Sequence, residues 1–209
     1  MSKPLAGGSA RRGPVIAIII VAVVGAALVA VAFSGGKKKS VAGEVNPVVV
    51  TGTALAKYDS TLATDPAVGT KPPELAGKQF DGSALSIVPG GKAKLVTFVA
   101  HWCPHCQREV PLIVSWLPTK PSTLDVLAVS TAVDPSADNY PPSAWLTKVK
   151  YTVPTLTDDA KSSAAAAWGL PGYPYLVLLK ADGTVAARYS GEMALADLDA
   201  WVKKGLGLS

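Results

Sequence analysis

Two cysteines separated by two residues, at the junction of a predicted strand and a predicted helix, constrain this chain more than any other feature. Residues 94–100 (KLVTFVA) are mostly apolar and β-branched, which predicts a buried strand. Residues 104–117 have the apolar spacing of a helix. The motif from Cys103 to Cys106 holds both cysteines of the 209-residue sequence. A small fold stapled by several disulfides is therefore excluded.

The four residues of this motif form the predicted catalytic set. Pro104 suits the first position of a helix, where a missing N–H removes no hydrogen bond. Cys103 then lies at the positive end of the helix dipole, and a protonated His105 beside it would also stabilise the thiolate. We therefore expect Cys103 to be the nucleophile and Cys106, one turn deeper, to be the resolving thiol. A stabilised thiolate makes the disulfide a better oxidant, which favours an oxidase.

A metal site is the main alternative interpretation of two closely spaced cysteines. A tetrahedral zinc site needs a second pair of ligands at a distance, but both histidines, His101 and His105, lie within the same six residues. Covalent haem attachment needs a histidine directly after the second cysteine, where this chain has Gln107. Mononuclear copper stays open, because thiolate and imidazole both suit it. We predict redox chemistry without a bound metal or other cofactor, with copper binding as the competitor.

The remaining sequence alternates between strand and helix patterns. This order predicts an α/β fold, with a central mixed β-sheet flanked by helices, parallel strands at its centre and an antiparallel hairpin at one edge. An Asp-Gly pair at 182–183 supplies the hairpin turn. The other predicted elements are a possible edge strand at 48–53, strands at 124–130, 153–156, 175–179 and 185–189, and helices at 143–149, 159–168 and 194–204.

A run of nineteen uncharged residues, 15–33, which is apolar except for Gly25, precedes this region. At a rise of about 1.5 Å per residue it spans a bilayer core of about 30 Å. It predicts a transmembrane anchor, with an uncleaved or cleaved signal segment as the alternative. We expect a cytoplasmic tail at 1–14, a linker at 34–67 and an extracytoplasmic domain at 68–209, which makes the chain a single-pass cell-membrane protein.

The positive charge of the chain is concentrated around the apolar run. Residues 1–39 hold six Lys or Arg and no acid, so the remainder holds fourteen bases against fifteen acids. Binding to nucleic acid depends on clustered bases that face phosphates. The near-neutral charge of residues 40–209 therefore excludes a nucleic-acid partner.

Four short segments resemble the membrane-anchored, extracytoplasmic TlpA-like thiol-disulfide oxidoreductases of the thioredoxin superfamily. Residues 99–106 (VAHWCPHC) and 109–111 (EVP) resemble the redox segment of that family, including the proline that kinks its active-site helix. Residues 172–177 (GYPYLV) resemble its cis-proline segment, and residues 180–185 (KADGTV) resemble its hairpin. The resemblance covers residues 68–209 and implies a thioredoxin-like fold.

The same resemblance implies a substrate-binding surface. Pro174 should be a cis-proline that packs against the disulfide, and the backbone of Tyr173 should pair with an extended substrate. Trp102, which precedes the nucleophile, is expected to flank the substrate groove. The expected partners are extracytoplasmic client proteins that contain cysteine, together with an unidentified electron-transfer partner in the membrane.

Two departures from the family bear on mechanism. Thioredoxin has a buried Asp where this chain has Thr97, so the proton acceptor for Cys106 must differ; Glu109, His101 and a bound water are the candidates. We expect Glu109 to be a solvated helix residue; for His101, a partly exposed position at the strand end and a proton-transfer role are equal alternatives. The Pro-His pair is typical of strongly oxidising periplasmic enzymes, whereas TlpA-like reductases carry other pairs. This pair leaves the direction of electron flow open, since those oxidases have a wholly helical inserted domain where residues 106–174 here are mixed strand and helix. Because the helix start and His105 favour the thiolate, we favour an oxidase, with a reductase of the same fold or a copper-delivery protein as alternatives.

Overall fold

The computed structural model describes residues 43–208 of the chain. Eight strands and four α-helices are formed within this range, with a short 3₁₀ turn, Leu117–Thr119, after the first helix. The strands are β1 (Val49–Thr51), β2 (Glu74–Lys78), β3 (Ala84–Ile87), β4 (Ala93–Val99), β5 (Leu124–Ser130), β6 (Thr155–Thr157), β7 (Tyr175–Leu179) and β8 (Val185–Ser190); the helices are α1 (Pro104–Trp116), α2 (Pro142–Lys148), α3 (Ser163–Ala167) and α4 (Leu195–Leu206).

One mixed sheet organises these elements. Its strand order is β1-β2-β6-β5-β4-β7-β8, and β3 pairs with β2 beside this path. Strands β4, β5 and β6 are parallel, whereas β7 and β8 are antiparallel to their neighbours. The predicted α/β fold, with a mixed sheet, parallel central strands and a hairpin at one side, is confirmed.

Alternate residues of β4 enter two separate cores, as expected for a strand buried on both faces. Leu95 and Val99 pack into the core that contains buried residues of α1 and α4. Val96 and Phe98 pack into the opposite core, which contains Trp168. Strand β4 is therefore fixed in register, and its carboxyl end delivers the cysteine motif to a defined place at the edge of the sheet.

The strands β2 and β3 were not predicted from the sequence. Strand β2 reads ELAGK, and only Leu75 among its residues is buried. A weak apolar alternation and Gly77 concealed it, because glycine in a strand usually lowers its stability. A Cβ at Gly77 would lie 3.4 Å from the Leu156 side chain, an ordinary contact distance, so the packing of β2 does not itself require glycine here.

The helix predicted at 159–168 is shorter than expected and comprises only α3. The Asp158 carboxylate accepts hydrogen bonds from the backbone N–H groups of Asp159, Ala164 and Ala165. Ser162 just before the helix has a left-handed backbone, with φ of 56°. The buried carboxylate therefore organises residues 158–162 as a turn and satisfies the N–H groups at the start of α3.

Residues 43–67, within the predicted linker, lie against the sheet. Leu55 and Ala67 belong to the hydrophobic core. The buried Arg188 of β8 donates to both carboxylate oxygens of Asp65, with 2.7 Å between its Nε and Oδ2, and donates to the Ala56 carbonyl oxygen at 2.8 Å. A buried ion pair and apolar contacts thus fix this segment to the sheet.

The predicted transmembrane segment, 15–33, lies outside the described residues. Within 43–208, the helices are all too short or too polar to cross a bilayer.

Candidate active site

Cys103 lies at the junction that the sequence predicted. Its backbone is extended, with φ of −75° and ψ of 120°, and Pro104 is the first residue of α1. The N–H of Cys103 donates to the carbonyl oxygen of Ala100 at 3.1 Å, which forms the turn between β4 and α1. Cys103 is 5% exposed and Cys106 is fully buried. The Cys103 thiol therefore lies at the start of α1, and the Cys106 thiol lies beneath it in the interior.

The predicted substrate-binding residues lie around Cys103. The Tyr173–Pro174 peptide bond is cis, and the Cys103 thiol donates to the Tyr173 carbonyl oxygen at 3.6 Å. Trp102 packs edge-on against the Tyr173 ring, with centroids 5.7 Å apart. Its indole N–H donates to the Ala132 carbonyl oxygen at 2.7 Å. The structure thus brings a thiol, a rigid carbonyl and an exposed aromatic ring together.

Cys106 has a low-dielectric environment on α1. Burial raises the pKa of the Cys106 thiol. A hydrogen bond with the Ala100 backbone lowers this pKa, whereas the nearby Cys103 and Glu109 raise it further. The thiol form of Cys106 is therefore favoured until a base removes its proton.

Glu109 is buried, so the expectation that it would be solvated is wrong. Its side chain is 0% exposed. One carboxylate oxygen, Oε2, accepts a hydrogen bond from the Met193 N–H at 3.0 Å, while Oε1 is buried with no hydrogen-bond partner among the described residues. Burial raises the pKa of Glu109, and the Glu192 carboxylate adds to this effect. Glu109 is thus a carboxyl group with one free oxygen in the interior beside Cys106.

Thr97 belongs to a neutral pair of hydroxyls. Its Oγ1 lies 2.7 Å from the Tyr151 Oη and 3.3 Å from the Leu127 carbonyl oxygen. Burial raises the pKa of Tyr151, which keeps the phenol protonated. This pair therefore supplies no base in the position where thioredoxin has its Asp. Tyr151 was not among the sequence candidates, because it lies 54 residues from Thr97 and no local motif links them.

His101 is also buried, at 1% exposure, so the alternative of a partly exposed residue is wrong. Its Nδ1 lies 2.7 Å from the Asp138 carbonyl oxygen, and its Nε2 accepts from the Asp134 N–H at 3.1 Å. The tautomer with the proton on Nδ1 satisfies both contacts. Both ring nitrogens therefore hold the loop after β5, and neither points a free lone pair at the cysteines.

His105 lies in a charged cluster that the sequence did not reveal. Its Nδ1 contacts Oε1 of Glu192. Arg108 donates from Nε to the Glu192 Oε2 at 2.9 Å and from Nη2 to Oε1 at 2.6 Å. Hydrogen bonds from Arg108 and then from His105 lower the pKa of Glu192 to about 2. Arg108 is three residues from His105 and was visible as a helical neighbour, but Glu192 is 87 residues away.

Residues that could hold a metal do not cluster in the described part of the chain. Within 43–208, no group of three or more His, Cys, Asp or Glu is arranged to bind one. A copper site built on the two cysteines would therefore need a further ligand that this arrangement of His101 and His105 does not provide.

A strand that ends at a Cys-x-x-Cys, a helix that begins within it and a cis-proline beside the first sulfur together define a thioredoxin-like thiol-disulfide oxidoreductase. The sequence profile of the Redoxin family matches residues 67–201. The chain therefore belongs to the Redoxin family, and it is an enzyme of the thiol-disulfide oxidoreductase class.

Individual proteins with similarity to the chain are consistent with this assignment. The soluble secreted antigen MPT53 of Mycobacterium tuberculosis is 28% identical over 130 residues, which cover 62% of this chain and 69% of that protein. Sporulation thiol-disulfide oxidoreductase A of Bacillus subtilis is 24% identical over 127 residues, covering 61% and 76%. The crystal structure of StoA from Bacillus subtilis superposes with a TM-score of 0.52 at 24% identity, covering 65% of this chain and 98% of that one, which shows the shared fold.

Proposed function

We propose that this chain exchanges disulfides with cysteine-containing client proteins outside the cytoplasm, through Cys103 and Cys106. The observation that carries the proposal is the contact between the Cys103 thiol and the Tyr173 carbonyl oxygen, 3.6 Å away beside cis-Pro174. A client strand that pairs with the backbone of Tyr173 would place its own sulfur next to Cys103. Trp102 would form one wall of the groove.

In the oxidising direction, a client thiolate attacks the Cys103 sulfur of the Cys103–Cys106 disulfide. The enzyme S–S bond breaks, a mixed disulfide forms, and Cys106 leaves as a thiolate that takes up a proton. A second client thiolate then attacks the client sulfur of the mixed disulfide and releases Cys103 as a thiolate. Two electrons pass from the client dithiol to the enzyme, which a disulfide such as oxidised glutathione can reoxidise. The reducing direction reverses each step.

Glu109 is the proposed proton acceptor and donor for Cys106. Thr97 and Tyr151 form a neutral pair, and both ring nitrogens of His101 contact backbone groups. Of the two residue candidates, Glu109 alone has a buried oxygen without a partner in the described structure. Its raised pKa brings the carboxyl closer to neutral pH, where a general acid and base works best.

We favour the oxidase direction, because Cys103 lies at the amino end of α1 with His105 two residues further on, an arrangement that in general favours the reduced form of such a pair. The reductase is the second candidate. It is supported by the contact between His105 and Glu192, because a carboxylate at Nδ1 offsets part of the imidazolium charge that would otherwise act on Cys103.

The location outside the cytoplasm is part of the proposal. It is supported by the apolar run at 15–33 and by the similarity to MPT53, which is a secreted protein. A membrane anchor would keep the domain close to the membrane partner that reoxidises or reduces it.

The test uses purified full-length chain and a reduced client protein whose activity depends on its disulfides. We expect wild type to restore client activity with oxidised glutathione present and Cys103→Ala to be inactive. Reduced Cys106→Ala, mixed instead with the oxidised client, should accumulate a mixed disulfide through Cys103 that is visible on a non-reducing gel, because the thiol that would resolve it is missing. Full turnover by Cys103→Ala would contradict the proposal. A reduction potential near −270 mV, the value of thioredoxin, would favour the reductase over the oxidase.

A further inference from the structure

The loop between β8 and α4 contacts the active-site helix through two consecutive residues. Glu192 binds His105 and Arg108 on the surface of α1. The next residue, Met193, donates its N–H to Glu109 on the buried side. The loop is itself held, because the Tyr189 hydroxyl donates to the Glu192 carbonyl oxygen at 3.1 Å. One short loop therefore touches both the exposed and the buried polar groups of the helix.

Two groups compete for the Nδ1 atom of His105. The Glu192 carboxylate can only accept a hydrogen bond, so its contact requires a proton on Nδ1. Arg108 can only donate, and its Nη2 lies 3.0 Å from the same nitrogen. Since Arg108 is already paired with both oxygens of Glu192, the charge-assisted contact from Nδ1–H to the carboxylate is the one that fixes the ring.

We propose that Glu192 is a positioning residue that holds the His105 ring and thereby sets the reduction potential of the Cys103–Cys106 pair. The inference builds on the proposed function and names a residue that controls it. The cluster joins the His105 ring and the Arg108 cation to one carboxylate, and the Arg108 charge also interacts with Cys103. The carboxylate holds Nδ1 and offsets part of the positive charge beside Cys103, so the thiolate is stabilised less than His105 alone would stabilise it.

Removal of this carboxylate should make the enzyme a stronger oxidant. In Glu192→Gln the ring is released and the local positive charge rises, so the reduced thiolate form is favoured. We expect the equilibrium constant with the glutathione couple to shift about tenfold toward reduced enzyme, which corresponds to about 30 mV for a two-electron couple. Glu192→Ala provides a second variant with the same expected direction.

The experiment equilibrates the full-length chain with reduced and oxidised glutathione at pH 7 and counts free thiols by alkylation. Asp125→Asn is the matched control, because it removes an exposed carboxylate that pairs with Lys92 at the opposite end of the central strands. We expect no shift for this control. An unchanged constant in both Glu192 variants, or a shift toward oxidised enzyme, would overturn the inference.

A double-mutant cycle tests whether Glu192 acts through His105. In a His105→Ser background, Glu192→Gln should shift the constant by about threefold or less. A full tenfold shift in that background would show a direct field effect and would overturn the positioning role. The glutathione equilibrium depends only on the two cysteines, whereas client turnover is measured separately. Failure of the proposed function would appear as absent turnover, and failure of this inference as an unchanged or His105-independent equilibrium.

Discussion

Glu109 lies one helical turn beyond Cys106 on α1, and both side chains are fully buried. Each is costly to ionise in the interior, so under the proposed function the Cys106 proton would pass to Glu109 rather than directly to solvent. The free Oε1 of Glu109 gives this exchange an acceptor atom.

Replacement of Glu109 by Gln should slow resolution of the mixed disulfide. Gln keeps an acceptor for the Met193 N–H but cannot take a proton from Cys106, so we expect the rate to fall by about 100-fold or more at pH 7. Stopped-flow mixing with a client peptide disulfide, followed by acid quench, measures the rate. Glu74→Gln, at an exposed site on β2, is the matched control.

His101→Ala separates the two titratable candidates. It should destabilise the domain by about 1–3 kcal/mol, because the Asp134 N–H and Asp138 carbonyl lose their partner. The pH profile of turnover should stay unchanged, since His101 holds a loop. A profile that changes with His101→Ala but not with Glu109→Gln would assign the proton role to the histidine.

Glu109 also predicts how stability depends on pH. Its pKa is raised in the folded chain, so the folded state binds more protons than the unfolded state at pH values between the two pKa values. The contribution of Glu109 to stability should therefore fall as pH rises above about 4.5, by at most about 1.4 kcal/mol for each pH unit until the folded pKa is passed. Urea unfolding at pH 5 and pH 8 measures this loss.

The Glu109→Gln variant should show a weaker dependence of stability on pH than wild type. Burial also raises the pKa of Asp158, which contributes a slope of the same sign, so Glu109→Gln should reduce the dependence and the double variant with Asp158→Asn should reduce it further. Equal slopes in wild type and Glu109→Gln would exclude a raised pKa at Glu109.

The contribution of Glu192 to stability should have the opposite pH dependence to that of Glu109. Its pKa is lowered to about 2, mainly by Arg108 and then by His105, so the stabilising contact is complete above about pH 4.5 and is lost as the pH falls through 2. Carboxyl carbon NMR should show Glu192 still ionised at pH 3.5. In Arg108→Met the midpoint should move up toward 4.5; an unchanged midpoint would mean that Arg108 is not the cause.

The sequence predicted the parts of the fold and site that depend on local patterns. Strands β4, β5 and β7 are long apolar runs, and their order requires a mixed sheet. The Cys103 junction and cis-Pro174 were found because a short motif marks each. Hydrophobic pattern carries no such signal for β2, whose single buried side chain is Leu75 and which forms by pairing with three neighbouring strands.

The polar groups of the site were harder to predict. A Glu on a helix and a His at the end of a strand are usually exposed, but Glu109 and His101 are buried by elements distant in sequence. The contact between His105 and Glu192 joins residues 87 positions apart. Such contacts depend on how the loop after β8 folds back over α1, and no local pattern specifies them.

The ion pair between Arg188 and Asp65 yields a prediction about the segment that precedes the catalytic domain in sequence. The Arg188 side chain is fully buried and also donates to the Ala56 carbonyl oxygen. Asp65→Ala leaves a buried cation without its partner, so we expect a loss of about 3–5 kcal/mol and cleavage by protease near residues 56–65 under native conditions. The double variant with Arg188→Met removes the buried charge and should recover much of the stability. If Asp65→Ala alone lowers stability by less than about 1 kcal/mol, water must reach Arg188 and the segment is not fixed by this pair.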